Sequence, residues 1–291
     1  MRWILLAVAA VLLVALAPTD LHAWTPGTHI YLAESILGQV HLVPGIVGEL
    51  LRAFPYDYLY GSIAADTSFA KKYAPVGRHP HAWHVAQEIH DTATSDALRA
   101  FGLGYLSHLA ADVVAHNYFV PRQLVFTRGP AGVAHAYWEA RVENTLGHRY
   151  SREAMDLLRM DHTPADRLLD TVLSPTLFSI PTNRRMFRGM VRIADQRTYQ
   201  ATIRLAHDFS GLPLVEEDVG RHLEESERRI RQLLAAEDEA LRKLDPSGEG
   251  ALRAARLARK EVLQVGGNDP GRLRAEAEKR FGLPLAPVRS R

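Results

Sequence analysis

Cysteine is absent from this chain of 291 residues. Its absence excludes disulfide bridges, attachment of a lipid anchor through cysteine, and metal sites with thiolate ligands. Any transition-metal ion must therefore be held by nitrogen and oxygen atoms, and the 14 histidines and 33 acidic residues supply both. Such ligands are typical of catalytic metal sites rather than of cysteine-rich structural fingers.

An excess of charge of one sign is also missing, because 35 basic residues oppose 33 acidic ones. The net charge of +2 gives no electrostatic basis for binding duplex nucleic acid, which calls for a concentrated basic stripe. With 47% hydrophobic residues, the chain is long enough to bury one large core or two smaller ones. The composition therefore predicts an ordinary globular protein that does not bind duplex nucleic acid.

Long apolar runs are scarce, and the one at the amino terminus covers Trp3–Ala17. It is short for a membrane span, which needs about 20 apolar residues. It follows Arg2 and precedes a polar segment, as the core of an export signal does. Ala23 is a small residue directly before Trp24, so we expect residues 1–23 to be a signal peptide and the mature protein to be periplasmic or extracellular. The alternative is an uncleaved amino-terminal anchor.

Histidine and carboxylate side chains recur at four-residue steps in the apolar segment GYLSHLAADVVAHNYF. His108, Asp112 and His116 lie on one face if this segment is helical, and HAYWE repeats the step with His135 and Glu139. A single histidine on such a face is usually a core residue with a local hydrogen bond. Several such groups buried together cost several kcal/mol unless they are paired or bind a metal. The cluster therefore predicts a metal site.

The segment TPGTHIYLAESIL predicts another helix, because Thr25 can cap it and Pro26 suits its first turn. His29, Ala33 and Ile36 share its inward face, so His29 lies either in the core or in a site. Helical periodicity then fades between residues 55 and 84, where glycine, proline, aspartate and aromatic residues predict a loop that carries function. The possible ligands in this loop are Asp57, Asp66, His79, His81 and His84, of which most are expected to be turn or cap residues.

A series of short motifs occurs in a fixed order: Trp24 at the predicted mature terminus, GTHIYLAE, GSIAAD, HAW, GYLSHLAAD, a following histidine, and HAYWE. In this order the chain resembles the bacterial zinc-dependent phospholipase C family over about residues 24–145. The resemblance implies an all-α fold, with a multi-helix zinc phospholipase C-like catalytic domain over residues 24–212. A charged helical extension, residues 213–291, is expected to follow it.

The resemblance also implies a site for up to three zinc ions. The implied ligands are Trp24, His29 and Asp112 for the first ion, Asp66, His81, His108 and Asp112 for the second, and His116, His135 and Glu139 for the third. Trp24 would bind through its free amine and its carbonyl, and Asp112 would bridge two ions. Because that amine forms only when the leader is removed, the site would assemble only after export.

Two positions depart from the family pattern. Three residues separate Asp112 from His116, where the family has five and often a proline. Helical register still places His116 about 40° from Asp112, on the same face. The second departure is Ala65, which precedes Asp66 where the family usually has proline.

The segment HPHAWH offers three histidines, and the resemblance selects one of them. His81 is preferred over His79 and His84, because Trp83 follows it at the spacing of the family's aromatic residue. The other two are left as residues of the predicted loop.

The implied activity is metal-assisted hydrolysis of a phosphodiester, which would convert a phospholipid to diacylglycerol and a phosphorylated head group at a peripheral membrane contact. Asp66 is implied as the general base. Aromatic residues of the loop either line the mouth of the site, where they would hold a choline cation, or pack in the core: Tyr56, Tyr58, Tyr60, Phe69 and Tyr73. The alternatives are a single-strand nuclease or 3′-nucleotidase on the same site and a non-catalytic metal-binding surface protein. The nucleases usually have aspartate where this chain has Glu139, which favours the phospholipase.

Beyond the motifs, two more helices are expected over residues 164–208, and a long helix is expected from Val215 to near DPSGEG. The apolar stripe of that long helix consists of Val219, Leu223, Ile230, Leu234 and Leu241. Two shorter helices follow it, separated by VGGNDPG. We interpret this part as an amphipathic hairpin that folds back on the domain; self-association through a coiled coil and an interfacial membrane helix are the alternatives. His162, His207 and His222 lie outside the motifs and are expected to be surface or core residues.

Overall fold

The computed structural model describes residues 24–67, 78–173, 180–194 and 214–284. These residues contain helices and no strand, which confirms the predicted all-α class. The α-helices are α1 (Pro26–Gly38), α2 (Gly45–Ala53), α3 (Pro55–Ala64), α4 (Trp83–Asp91), α5 (Asp96–Val114), α6 (Val120–Phe126), α7 (Ala131–Leu146), α8 (His148–Leu157), α9 (Thr163–Val172), α10 (Ile180–Ala194), α11 (Glu216–Leu234), α12 (Glu249–Gly266) and α13 (Pro270–Phe281). Residues 1–23, the predicted leader, lie outside the described part. Among the described helices, none combines the length and apolar character needed to cross a membrane.

Helix α1 begins where its capping residues predict. The Thr25 hydroxyl accepts a hydrogen bond from the Thr28 backbone N–H, and Pro26 occupies the first helical position. The buried face of α1 includes His29 and Ile36. Because α1 packs against α3, α8 and α11, His29 points toward the centre of the molecule rather than toward its surface.

The prediction of a loop between residues 55 and 84 is wrong for residues 55–67, which are helical. Residues Pro55–Ala64 form α3, and Ala65–Thr67 continue as a short 3₁₀ turn. Gly61 suggested a loop, but it lies within α3, at the point where α3 and α5 cross closely. A side chain at Gly61 would collide with the backbone of α5 near Gly104, so the pair of glycines lets α3 and α5 approach each other.

Two aromatic residues of this segment belong to the core. Tyr58 and Tyr60 are fully buried, and their hydroxyl groups donate hydrogen bonds to Ser107 Oγ (3.2 Å) and Asp166 Oδ1 (2.7 Å). The idea that these two residues line a choline site is therefore wrong, because no surface of either ring remains exposed. Tyr56 is exposed on α3. Phe69 and Tyr73 lie outside the described residues.

A π-helical turn follows α5. Residues Ala115–Phe119 wind more widely than an α-helix, and the Val120 N–H donates to the carbonyl of Ala115, five residues earlier. Such turns are rare and often occur at functional sites. This one carries His116, the ligand whose spacing departs from the family pattern.

The carboxyl-terminal extension folds back on the rest of the chain, as interpreted from its amphipathic pattern. Helix α11 packs on α5, while α12 and α13 pack on α6. The apolar stripe of this part is buried within the chain and consists of Val219, Leu223, Ile230, Leu234 and Leu241. The predicted end of the long helix is wrong, because α11 already ends at Leu234. Two residues later, Ala236 adopts a positive φ, and Leu241 lies in a separate 3₁₀ turn.

Two of the three histidines singled out as lying outside the motifs, His162 and His222, take core positions. The His162 ring stacks on Tyr60 at a centroid distance of 3.7 Å and donates from Nε2 to the carbonyl of Leu157. His222 is also buried, and its Nδ1 donates to the carbonyl of Asp218. His207 lies outside the described residues. These contacts are structural, as expected for histidines without a motif.

A carboxylate pair at the interface of α1 and α8 gives a pH-dependent prediction. A hydrogen bond with Glu34, together with burial, raises the pKa of Glu153 from 4.5 to about 7. Glu153 therefore favours folding below about pH 4.5, and this contribution is lost as the pH rises through 7. We expect Glu153→Gln to be more stable than the natural protein at pH 8, by a few tenths of a kcal/mol after solvent screening, and equal to it near pH 4.5. Thermal unfolding at both pH values checks this; equal stabilities at pH 8 would contradict it.

Candidate metal centre

The predicted histidine and carboxylate ligands converge from five segments of the chain. Helix α1, the turn after α3 and the residues before α4 contribute one ligand each. Helix α5 with its π turn contributes three ligands, and α7 contributes two. All are at most 4% exposed: His29, Asp66, His81, His108, Asp112, His116, His135 and Glu139. Burial of so many ionisable groups at one place is unfavourable unless a partner of opposite charge joins them.

Asp112 lies at the middle of the first part of the centre. Its Oδ1 is 3.2 Å from His29 Nε2, and its Oδ2 is 3.1 Å from both His81 Nε2 and His108 Nε2. Neither oxygen accepts a hydrogen bond of satisfactory geometry from the described residues, despite these short distances. The two oxygens thus face different sets of imidazole nitrogens, as a carboxylate shared by two metal ions does.

His108 is oriented by the backbone of α3. Its Nδ1 lies 2.8 Å from the carbonyl oxygen of Ser62. A carbonyl only accepts hydrogen bonds, so Nδ1 carries the proton and Nε2 carries the lone pair that binds a metal. This Nε2 is 3.2 Å from His81 Nε2 and 3.8 Å from Asp66 Oδ1.

Two overlapping ligand sets form this first part. The potential ligand atoms of His81, His108 and Asp112 lie within 4.8 Å of one another, and so do those of His29, Asp66 and His108. The resemblance assigns Asp66 to the second ion alone, whereas the structure also groups it with His29. Asp66 Oδ1 is also 3.3 Å from His81 Nε2, so this carboxylate faces both sets.

A third set lies between the π turn and α7. It consists of His116, His135 and Glu139, whose potential ligand atoms also lie within 4.8 Å of one another. His135 Nε2 is 2.5 Å from Glu139 Oε1, and the rings of His116 and His135 meet edge to face with centroids 5.3 Å apart. The wide π turn carries His116 toward α7. The short spacing from Asp112 therefore does not prevent His116 from joining the cluster.

Trp24 is buried directly before α1, and its ring packs at 5.1 Å on Phe119 of the π turn. Its position next to the ligand-bearing segments is compatible with the predicted role of its amine. That role stays a prediction, because it depends on removal of the leader.

Burial and charge set the protonation states that ligation requires. Burial, followed by the charge of His108, lowers the pKa of His29 to about 4, so His29 is neutral at pH 7. Burial alone lowers the pKa of His108, but the charges of Asp112 and Asp66 outweigh it and raise that pKa above its ordinary value. Burial opposes the ionisation of Asp112, yet the charge of His108 and the neighbouring imidazoles of His29 and His81 hold its pKa well below its ordinary value. A metal ion would replace the proton on His108, as expected for a site that releases protons on binding.

The other candidates of the sequence take different places. Asp57 lies in the first turn of α3, where its carboxylate interacts favourably with the positive end of the helix dipole. His79 and His84 line a pocket of 520 Å³ beside His81. One wall of this pocket comes from residues 242–249 of the carboxyl-terminal extension.

Sequence patterns missed the groups that orient the ligands. His116 Nδ1 lies 2.6 Å from the carbonyl oxygen of Pro246, a residue of the extension, just as His108 Nδ1 faces Ser62. Both acceptors are backbone carbonyls, which every residue possesses. No side-chain signal therefore distinguishes these two positions in the sequence.

The donor set suits zinc, since it consists of imidazole nitrogens and carboxylate oxygens, and the two oxygens of Asp112 face imidazoles on opposite sides. A family model for zinc-dependent phospholipase C matches residues 28–177, more than half of the chain, and this region contains every histidine and carboxylate of the three sets. Comparisons with curated proteins and with solved structures give no significant match. The chain therefore belongs to the zinc-dependent phospholipase C family, whose members are hydrolases of phosphodiester bonds.

Proposed function

We propose that this protein is an exported phospholipase C that holds up to three zinc ions and releases diacylglycerol from phospholipids. The observation that carries the proposal is the position of Asp112, whose two oxygens face His29 on one side and His81 and His108 on the other. A shared carboxylate of this kind suits adjacent metal ions, which is the arrangement used for in-line displacement at phosphorus. The third set, with Glu139, extends the same centre.

The residues of the site have distinct roles in this proposal. His29, His108 and Asp112 would hold the first ions, and bound zinc would supply Lewis-acid stabilisation of charge on the phosphate. Asp66 is fully buried beside both sets, with Oδ1 3.3 Å from His81 Nε2. In this proposal Asp66 accepts the proton of the attacking water as the general base.

The pocket beside His81 is the proposed entrance for the substrate. Its wall includes Arg242, whose guanidinium lies 5.6 Å from the centre of the Trp83 ring. Arg242 is held there by hydrogen bonds to Asp238 (2.5 Å) and Gln87 (3.0 Å). Because Arg242 is paired with Asp238, it would offer the substrate fixed N–H donors at the entrance rather than an unpaired charge.

Hydrolysis assays with three substrates test the proposed activity. We expect the zinc-loaded protein to release diacylglycerol from phosphatidylcholine vesicles and phosphorylcholine from a soluble ester, and to leave single-stranded DNA intact. A chelator should abolish both activities and added zinc should restore them, because every ligand set depends on the metal. Cleavage of single-stranded DNA alone would identify the nuclease alternative. No turnover by a zinc-loaded protein would favour a binding protein instead.

The proposed export and metal content have their own measurement. We expect the intact mass of the exported protein to correspond to a chain that begins at Trp24, with zinc approaching three ions per chain. The reason is that the α-amine becomes a ligand only when Ala23 is removed. A mature chain that begins elsewhere, or fewer than two zinc ions per chain, would contradict the three-ion arrangement.

A further inference from the structure

The carboxyl-terminal extension lies outside the region that matches the family, yet part of it contacts the metal centre. The segment Leu244–Gly248 joins a 3₁₀ turn to α12 and passes along the π turn that carries His116. Pro246 and Gly248 are buried in this contact. The segment is therefore anchored against the centre at these two residues, while Asp245 between them and the 3₁₀ turn is exposed.

His116 takes its orientation from this segment. Its Nδ1 lies 2.6 Å from the carbonyl oxygen of Pro246, and a carbonyl only accepts, so Nδ1 is the protonated nitrogen. Nε2 is then the nitrogen that faces His135 and Glu139 as a ligand. Hydrogen bonds of this kind fix the tautomer and the ring plane of metal-binding histidines.

Further hydrogen bonds hold the segment in register with the centre. The Asn117 side-chain amide donates to the carbonyl of Asp245 (2.8 Å) as well as to that of Val113 (3.0 Å). The Trp83 indole N–H donates to the carbonyl of Leu244 at 2.9 Å. The segment is thus tied to both the π turn and the start of α4, the two elements beside the ligands His116 and His81.

Gly248 fits against His116 in a way that no other residue can. Its φ of +60° lies in the left-handed region that favours glycine. A β-carbon at this position would come under 3.0 Å from the Cβ, the carbonyl carbon and the carbonyl oxygen of His116. The absence of a side chain therefore lets the segment close on the backbone of the ligand itself.

We infer that the segment Leu244–Gly248 is a positioning element for His116, so that the third metal position depends on residues beyond the family-matched region. This inference rests on the proposed third zinc site. Substitution of Gly248 by alanine would push the segment away from His116, weaken the hydrogen bond from Nδ1 to Pro246 and release the ring. The hydrogen bonds described above tie the segment to His116, Asn117 and Trp83, of which only His116 is a ligand, so the ions of the first two sets should remain.

The experiment counts zinc in the full-length exported protein and measures the affinity of each ion by competition with a chromophoric chelator. We expect Gly248→Ala to lower the affinity of one ion by roughly 10–100-fold, while the other ions bind as in the natural protein. Gly267→Ala is the matched control, because Gly267 also has a positive φ of +65° but nothing within 4 Å of an added β-carbon. Gly250→Ala controls for alanine in the first turn of α12, again with nothing within 4 Å. Both controls should keep every ion.

Two further variants separate failure of this inference from failure of the proposed site. His135→Ala should remove the third ion directly; unchanged zinc content in that variant would show that the proposed third site is wrong. If His135→Ala loses one ion but a folded Gly248→Ala binds all ions normally, the positioning inference is overturned. Should Gly248→Ala fail to fold by circular dichroism, Trp83→Phe decides, because it removes the hydrogen bond to Leu244 and keeps an aromatic ring beside Arg242. Weaker binding of one ion in Trp83→Phe supports the inference, and normal binding of every ion overturns it.

Discussion

Replacement of Asp112 by asparagine is expected to remove two zinc ions together and to lower phosphodiesterase activity by roughly 10³-fold or more. Asp112 is fully buried, and its two oxygens face His29 on one side and His81 and His108 on the other. An amide has the same shape but supplies only one oxygen and no negative charge. Loss of two ions removes several kcal/mol of charge stabilisation in the transition state, which corresponds to the stated loss of rate.

Asp166→Asn is a matched control for this experiment. Asp166 is also buried, but it accepts a hydrogen bond from Tyr60 and pairs with Arg184 at 2.9 Å, outside the three ligand sets. Its substitution should change stability while leaving the zinc content intact. Zinc analysis together with the vesicle assay checks both variants. Loss of a single ion from Asp112→Asn would show that the carboxylate is not shared.

The second large effect concerns the crossing of α3 and α5. Gly104→Ala is expected to destabilise the fold by about 3 kcal/mol, because the added β-carbon would collide with the backbone carbonyl of Tyr58 and crowd Gly61. Backbone atoms cannot rotate away as the end of a side chain can. The displacement of α3 would also move Ser62, whose carbonyl orients His108, so zinc affinity should fall as well.

Gly220→Ala provides the comparison for Gly104→Ala. Gly220 lies inside α11 with nothing within 4 Å of an added β-carbon, so alanine there should be neutral or stabilise the helix by about 0.5–1 kcal/mol. Chemical denaturation of the three proteins measures both effects. Equal free energies of unfolding for Gly104→Ala and the natural protein would mean that α3 and α5 can separate without cost.

Local signals predicted those parts of the fold that local chemistry controls. Thr25 and Pro26 mark the start of α1, and the glycines and proline of VGGNDPG mark the boundary between α12 and α13. Each of these signals acts within one helical turn, so the sequence alone reveals it. Periodicity also indicated an extension that folds back on the domain.

Long-range contacts explain where such signals failed. In the sequence Gly61 resembles a loop residue, yet it contacts Gly104 where the two helices cross. The stripe that runs from Val219 to Leu241 suggested one continuous helix, but the chain turns at Ala236 and buries both parts separately. A hydrophobic pattern records which residues are buried and not where the backbone turns between them.

The sequence by itself determined which side chains are able to bind metal, since the four-residue steps from His108 to Asp112 and from His135 to Glu139 follow from helix geometry. Only the tertiary structure decided how they combine. It joined His116 to His135 and Glu139 through a π turn and oriented His116 with the carbonyl of Pro246, 130 residues away in the chain. The physical reason is that ligand type belongs to the side chain, whereas every residue offers the same backbone carbonyl, and only folding selects which one meets the imidazole.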